Sequence, residues 1–197
     1  TYRNSQELID IAGSFILKNK KQLKKNLKSN KKLLNPIQII WYENEKNTFL
    51  HLLEKLFQEG KRNIMILGRN NRDIEEVLSH EFHYQNGTLT WVSHPEMNLY
   101  YKTVHRSKGL EEEIVIVLHL EHRENGFPNL RKESKVQRKL FSREDTYLYS
   151  EERRLFYVAL TRTKNEVYLL TSRKRPSIFV LELKNIMKRR EKRNQSK

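Results

Sequence analysis

Residues 151–170 read EERRLFYVALTRTKNEVYLL, and residues 103–118 read TVHRSKGLEEEIVIVL. In the first string, Leu155, Phe156, Val158 and Ala159 recur at the spacing of one helix face, so a helix is expected from about Glu151 to Thr163, with that face in the core. Directly behind it comes Val167–Leu170, an apolar run of strand length. In the second string, Ile114–Leu118 has the same character. Strands that are apolar without alternation are buried on both faces, as in a parallel sheet covered by helices. Sheets of that kind hold their ligands beyond the carboxyl ends of the strands.

Outward from these strings, the same alternation continues. Leu8, Ile9, Ala12, Phe15 and Ile16 mark a first helix, with Ser5 placed to cap it. Ile37–Tyr42 is β-branched and aromatic and reads as a strand. Phe49, Leu52, Leu53, Leu56 and Phe57 form the stripe of a second helix stopped near Gly60, Ile64–Leu67 a buried strand, and Asp73–Leu78 a short helix. Ser79–Lys102 is read as a short connection, and the polar region His119–Ser150, with Gly126 and Pro128, as a long surface connection. An α/β domain is therefore expected over 1–182, with 183–197 a basic, mobile tail. The chain opens on Thr1, with helical patterning almost at once, as expected of a segment of a longer protein.

Composition narrows the partner. Lysine and arginine number 39 against 24 acidic residues, a formal net charge of +15, which favours a polyanionic partner such as nucleic acid, and less often an anionic membrane surface. The absence of cysteine excludes a disulfide framework or thiolate metal site and fits a reducing cytoplasm. No apolar run reaches membrane-spanning length, so no membrane partner is expected. His80 with His83, and His119 with His122, have HxxH spacing but lack a carboxylate set, so no metal site is expected.

The two opening strings resemble motifs V and VI of the UvrD, Rep and helicase IV group of superfamily 1 DNA helicases, in the family's order and each leading into a strand. TYRNS at the start resembles motif IV, ILGRNNRD (Ile66–Asp73) the strand-and-turn element after it, and NGFP (Asn125–Pro128) a turn the family often has there. The resemblance implies a RecA-like fold: a mainly parallel sheet flanked by helices, in the second motor domain of an ATP-dependent helicase or single-strand translocase. UvrD and Rep insert an accessory domain where this chain has only Ser79–Lys102, so a single domain lacking that insertion is expected. Glu112 and Glu113 also depart from the residues that usually follow the GLE of motif V.

The resemblance also implies roles. Arg162 is similar to the family's arginine finger, and Arg3 to the motif IV arginine that meets the terminal phosphate of ATP. Tyr2 is similar to the tyrosine that stacks on adenine, and Glu111 to the acceptor of the ribose hydroxyl, with Gly109 in the same turn. Thr103, His105 and Ser107 match the part of motif V that holds the single-stranded DNA backbone. A guanidinium suits phosphate because it stays charged and presents a rigid fork of donors. No GxxxxGK[ST] and no acidic motif after a strand occurs in these residues. The resemblance therefore implies that Mg2+ and most phosphate contacts belong to an N-terminal RecA-like domain of the same parent chain. The rival reading is a non-catalytic nucleic-acid-binding or regulatory module, which would need neither Arg3, Glu111 nor Arg162.

Overall fold

A computed structural model describes residues 4–17, 27–130 and 149–195. Tyr2, Arg3 and most of the lysine-rich stretch after Leu17 lie outside the described residues. Helix α1 (Gln6–Ile16) is capped by Ser5, whose hydroxyl accepts from the Leu8 amide at 3.3 Å. Strand β1 (Ile37–Tyr42) and helix α2 (Glu45–Gln58) follow, the latter capped by Asn44 and succeeded by Gly60 at φ +77°. Strand β2 is Asn63–Gly68.

The next segment departs from expectation. Residues 71–77 form successive turns, not a helix: their amides bond to carbonyls three residues back, as in Asp73 to Asn70, Glu75 to Arg72 and Val77 to Ile74. Asp73 is the cause, because its carboxylate takes the Arg69 and Asn70 amides at 2.7 and 2.9 Å and draws the backbone into a local turn. The supposed connection Ser79–Lys102 is mostly sheet: β3 (Phe82–Gln85), β4 (Thr88–Trp91) and β5 (Asn98–Thr103). β3 and β4 form a hairpin on Asn86-Gly87, both at positive φ (53° and 85°), as a two-residue turn of that type requires.

A single 3-10 turn (Val104–Ser107) leads to β6 (Glu112–Leu120), and helix α3 (Ser150–Leu160) to β7 (Thr163–Ser172). The seven strands lie in one sheet, ordered β1-β7-β6-β2-β5-β4-β3. Strands β1, β7, β6, β2 and β5 are mutually parallel, and only the β3–β4 hairpin is antiparallel to its neighbours. One apolar core, with Phe15, Phe156 and Phe179, fills the face under α1, α3 and a last helix, α4 (Ile178–Gln195); a second, with Phe49, Leu53 and Trp91, fills the face under α2. Helix α4 crosses the expected boundary at 182/183: Leu183 and Ile186 are buried, so much of the presumed tail is a packed helix. The 119–150 region is likewise not all surface, since Phe127 is fully buried and the Ser177 hydroxyl donates to its carbonyl at 2.5 Å. Among the described residues no helix is long and apolar enough to cross a membrane.

Candidate nucleotide and nucleic-acid site

In a parallel sheet, residues just before a strand stand at its amino-terminal edge. Arg162 follows the Thr161 cap of α3 and precedes β7, while Gly109 and Glu111 precede β6; Glu112 and Thr163 are register partners. The residues assigned to the nucleotide therefore meet at the amino ends of β6 and β7, opposite to the carboxyl-end placement expected of such sheets. The two loops are tied together. The Arg162 guanidinium donates through Nε to the Val158 carbonyl and through NH1 to the Leu110 carbonyl, each at 3.2 Å. The Glu112 amide donates to the Arg162 carbonyl at 3.1 Å. Two main-chain carbonyls thus fix the orientation of the guanidinium. Its field reaches Tyr157, whose pKa burial raises and the Arg162 charge partly lowers.

Glu111 is half-buried, with the Lys164 ammonium 3.7 Å from its carboxylate; the sequence reading missed Lys164, although it stands two residues after Arg162. Gly109 has φ +90° with open space where a Cβ would project, so the turn needs glycine for its backbone, not for clearance. The side chain of Asn4, the residue after Arg3, is buried and donates to the Thr163 and Thr161 carbonyls at 2.6 and 3.4 Å. This anchor holds the described start of the chain against the Arg162 loop. A carboxylate, a guanidinium and an ammonium on one accessible edge are donor and acceptor types that fit a ribose and a phosphate chain. Tyr2 and Arg3 lie outside the described residues. Among the described residues no group of three or more His, Cys, Asp or Glu side chains converges as metal ligands do.

The backbone-contact set divides. Thr103 ends β5 and is buried, and Ser107 is fully buried with its hydroxyl donating to the Val104 carbonyl at 2.8 Å. Ser107 thus braces the 3-10 turn, while His105 and Arg106 are the side chains that turn exposes, with Lys108 beyond them.

At the carboxyl edge stands a polar cluster that the sequence reading did not find. Arg69, just past β2, makes a two-pronged pair with Glu152 of α3 at 2.7–3.1 Å, and Glu152 also accepts from the Asn129 amide at 3.0 Å. Arg153 pairs with Glu182 of α4 at 2.7 and 2.9 Å and covers the Phe15 ring, so this part of the motif VI string is structural. His119, at φ +53° in an irregularity of β6, is enclosed by Glu45 (Nδ1 to Oε2, 2.5 Å) and the Asp73 carbonyl (Nε2, 2.8 Å). Burial opposes its charge, but Glu45 and Asp73 outweigh that and push its pKa up to about 9. Tyr42 donates to Glu121 at 2.9 Å, and burial beside Glu45 and Glu121 holds it as a neutral phenol.

Residues 93–174 match the family described as the UvrD-like helicase C-terminal domain. DNA helicase IV of Escherichia coli (strain K12) is 32% identical over 188 residues, covering 94% of this chain and 26% of that protein. The chain thus spans about a quarter of that relative's length. Among solved structures, the C-terminal domain of a possible DNA helicase from Lactobacillus plantarum WCFS1 superposes with a TM-score of 0.52 at 16% identity, over 91% of this chain and 92% of the other. At that identity the likeness speaks for the fold.

Proposed function

From the UvrD-like helicase C-terminal domain that this chain carries, we propose that it is the second motor domain of an ATP-dependent DNA helicase or single-strand translocase. It supplies the arginine finger and part of the DNA track. ATP binds between this domain and an N-terminal RecA-like domain of the same parent, which holds most phosphate contacts and Mg2+. The parent works in the cytoplasm. The observation that carries this reading is the Arg162 loop: a guanidinium held by two main-chain carbonyls, one of them in the Gly109–Glu111 turn, at one edge of the sheet. A binding module would gain nothing from coupling these two loops, whereas a nucleotide contacting both would feel any movement between them.

In this role Arg162 meets the terminal phosphate, Glu111 accepts from a ribose hydroxyl, and Arg3 and Tyr2 complete the phosphate and adenine contacts. His105 and the main chain around the 3-10 turn, with Thr103 and Ser107 shaping it, hold phosphates of the single strand without reading its sequence. One charge pair at about 4 Å and an effective dielectric of about 20 is worth roughly 4 kcal/mol, about a thousandfold in rate when felt only in the transition state. The test is Arg162→Ala in a parent that includes the phosphate-binding domain. Nucleotide affinity should stay within about tenfold while turnover falls about a thousandfold. Arg162→Lys should recover little, because ammonium lacks the fork. Near-normal ATPase in Arg162→Ala would refute the assignment.

A further inference from the structure

Helix α4 buries Phe179, Val180, Leu183 and Ile186, and the opposite side presents two adjoining rows at i, i+4 spacing: Lys184, Lys188 and Lys192 in one, Asn185, Arg189 and Arg193 in the other. Lys188, Arg189, Lys192 and Arg193 are exposed, and Lys184 is half-buried with its ammonium 4.7 Å above the Trp41 ring of β1. Successive members of a row stand about 6 Å apart, and the whole set spans roughly 14 Å of a rigid helix. Arg173 and Lys174, exposed in the turn ahead of the helix, carry the same sign of charge. Nothing in the nucleotide edge or the motif V turn uses this surface.

We propose that this face of α4 is a second nucleic-acid contact, and that it grips the phosphate backbone of duplex DNA rather than the single strand of the motif V track. Five cations along about 14 Å meet roughly eight phosphates on a duplex but about four on one strand, so only the duplex offers each a separate partner. Single-strand sites combine charge with exposed rings on which bases stack. The two rows here carry none, and Lys184 covers Trp41 on the side toward α4. A flat, rigid double row suits a stiff phosphate array. The proposal rests on charge and shape and stands apart from the arginine-finger reading.

The test uses the 197-residue chain itself. Fluorescence anisotropy with a labelled duplex of about twenty base pairs, and with a single strand of equal length, is measured across a salt series for the chain and for Lys188→Gln/Arg189→Gln/Arg193→Gln. A matched control, Lys46→Gln/Lys55→Gln/Arg72→Gln, removes the same charge from exposed positions on and near α2. The α4 triple should weaken duplex binding at least about tenfold at low salt and lower the salt slope by about 2 to 3, while single-strand affinity stays within about twofold. The control triple should do markedly less. His105→Ala should show the reverse preference, losing single-strand affinity and keeping the duplex; that arm tests the motif V reading alone. Equal effects of the two triples would mean that net charge alone acts, and equal losses on both DNA forms would mean that the face does not prefer duplex. Either outcome overturns the proposal. So does tighter binding of phosphatidylserine vesicles or polyglutamate than of duplex, lost in the α4 triple.

Discussion

At the scale of single residues, His119 shows how a side chain that looks incidental in sequence becomes a structural ion. Its spacing to His122 suggested at most a metal pair, yet it sits alone among Glu45, Glu76 and the Asp73 carbonyl. Its pKa is raised from 6.5 to about 9, so the folded state holds its proton more tightly than the unfolded chain does. The resulting stability is fully present below pH 6.5 and is lost as pH climbs through about 9. Urea unfolding of the chain should therefore show stability falling between those limits, by on the order of 2–3 kcal/mol. His119→Asn keeps a residue tolerant of the positive φ and removes the titrating ring, so its stability should be lower near neutrality and nearly flat over the same window. A wild-type profile as flat as the variant's would show that Glu45 and His119 are not an ion pair in solution. Arg162 is the opposite case. Its role was suggested by the string around it, but nothing in the string shows that the Leu110 carbonyl, 52 positions away, orients it.

Among elements, helices and buried strands were legible because burial leaves a period, and what was missed depended on local hydrogen bonding or on distant partners. The β3–β4 hairpin carried an available signal, Asn86-Gly87 between FHYQ and TLTW, but β4 is only four residues long and its apolar alternation is brief. The 71–77 turns have helical composition, and only the Asp73 carboxylate, bonding backward to two amides, turns the balance. The basic residues of α4 read as tail because Phe179 and Leu183 find Phe15 and Phe156 only in three dimensions. The Arg69–Glu152 pair ties the end of β2 to the start of α3, with both side chains under a tenth exposed. Removing one partner leaves a buried charge, so Arg69→Met should destabilise the chain by about 3–5 kcal/mol. Arg69→Met/Glu152→Leu should recover part of that loss, because an apolar pair of similar size leaves no buried charge, although the Asn129 amide loses its acceptor. Chemical denaturation of both variants measures this, and a double variant less stable than the single one would count against the pair as a mutually compensated unit.

On the scale of the whole molecule, the residue sets proposed for the nucleotide and for the DNA backbone occupy different places on one sheet. Arg162, Gly109 and Glu111 stand at the amino ends of β6 and β7, while Thr103 ends β5 and His105 is exposed in the turn that follows. The eight residues 104–111 link the two, so a shift of the nucleotide edge and a shift of the exposed turn share one short segment. That Glu111 and Arg162 each directly precede a strand was visible in the sequence, and with it the edge of the sheet on which the proposed nucleotide residues stand; the general preference of parallel sheets for the carboxyl side hid it. The same placement sets what the chain can do by itself. In the proposed role Arg162 and Glu111 meet one side of a nucleotide, but no GxxxxGK[ST] loop in these residues supplies the amide cradle, and no cluster of acidic ligands converges among the described residues. A finger of the kind proposed for Arg162 stabilises only charge that another group has positioned, so in the isolated chain it would have nothing to act on. The isolated chain should therefore hydrolyse ATP at background rate with or without single-stranded DNA, in a steady-state assay with magnesium. Mixing it with an N-terminal RecA-like domain of its own parent should restore DNA-stimulated turnover, and carrying Arg162→Ala into that mixture should abolish the gain. Robust turnover by the chain alone would overturn the half-site reading, because it would place a complete phosphate cradle within these residues.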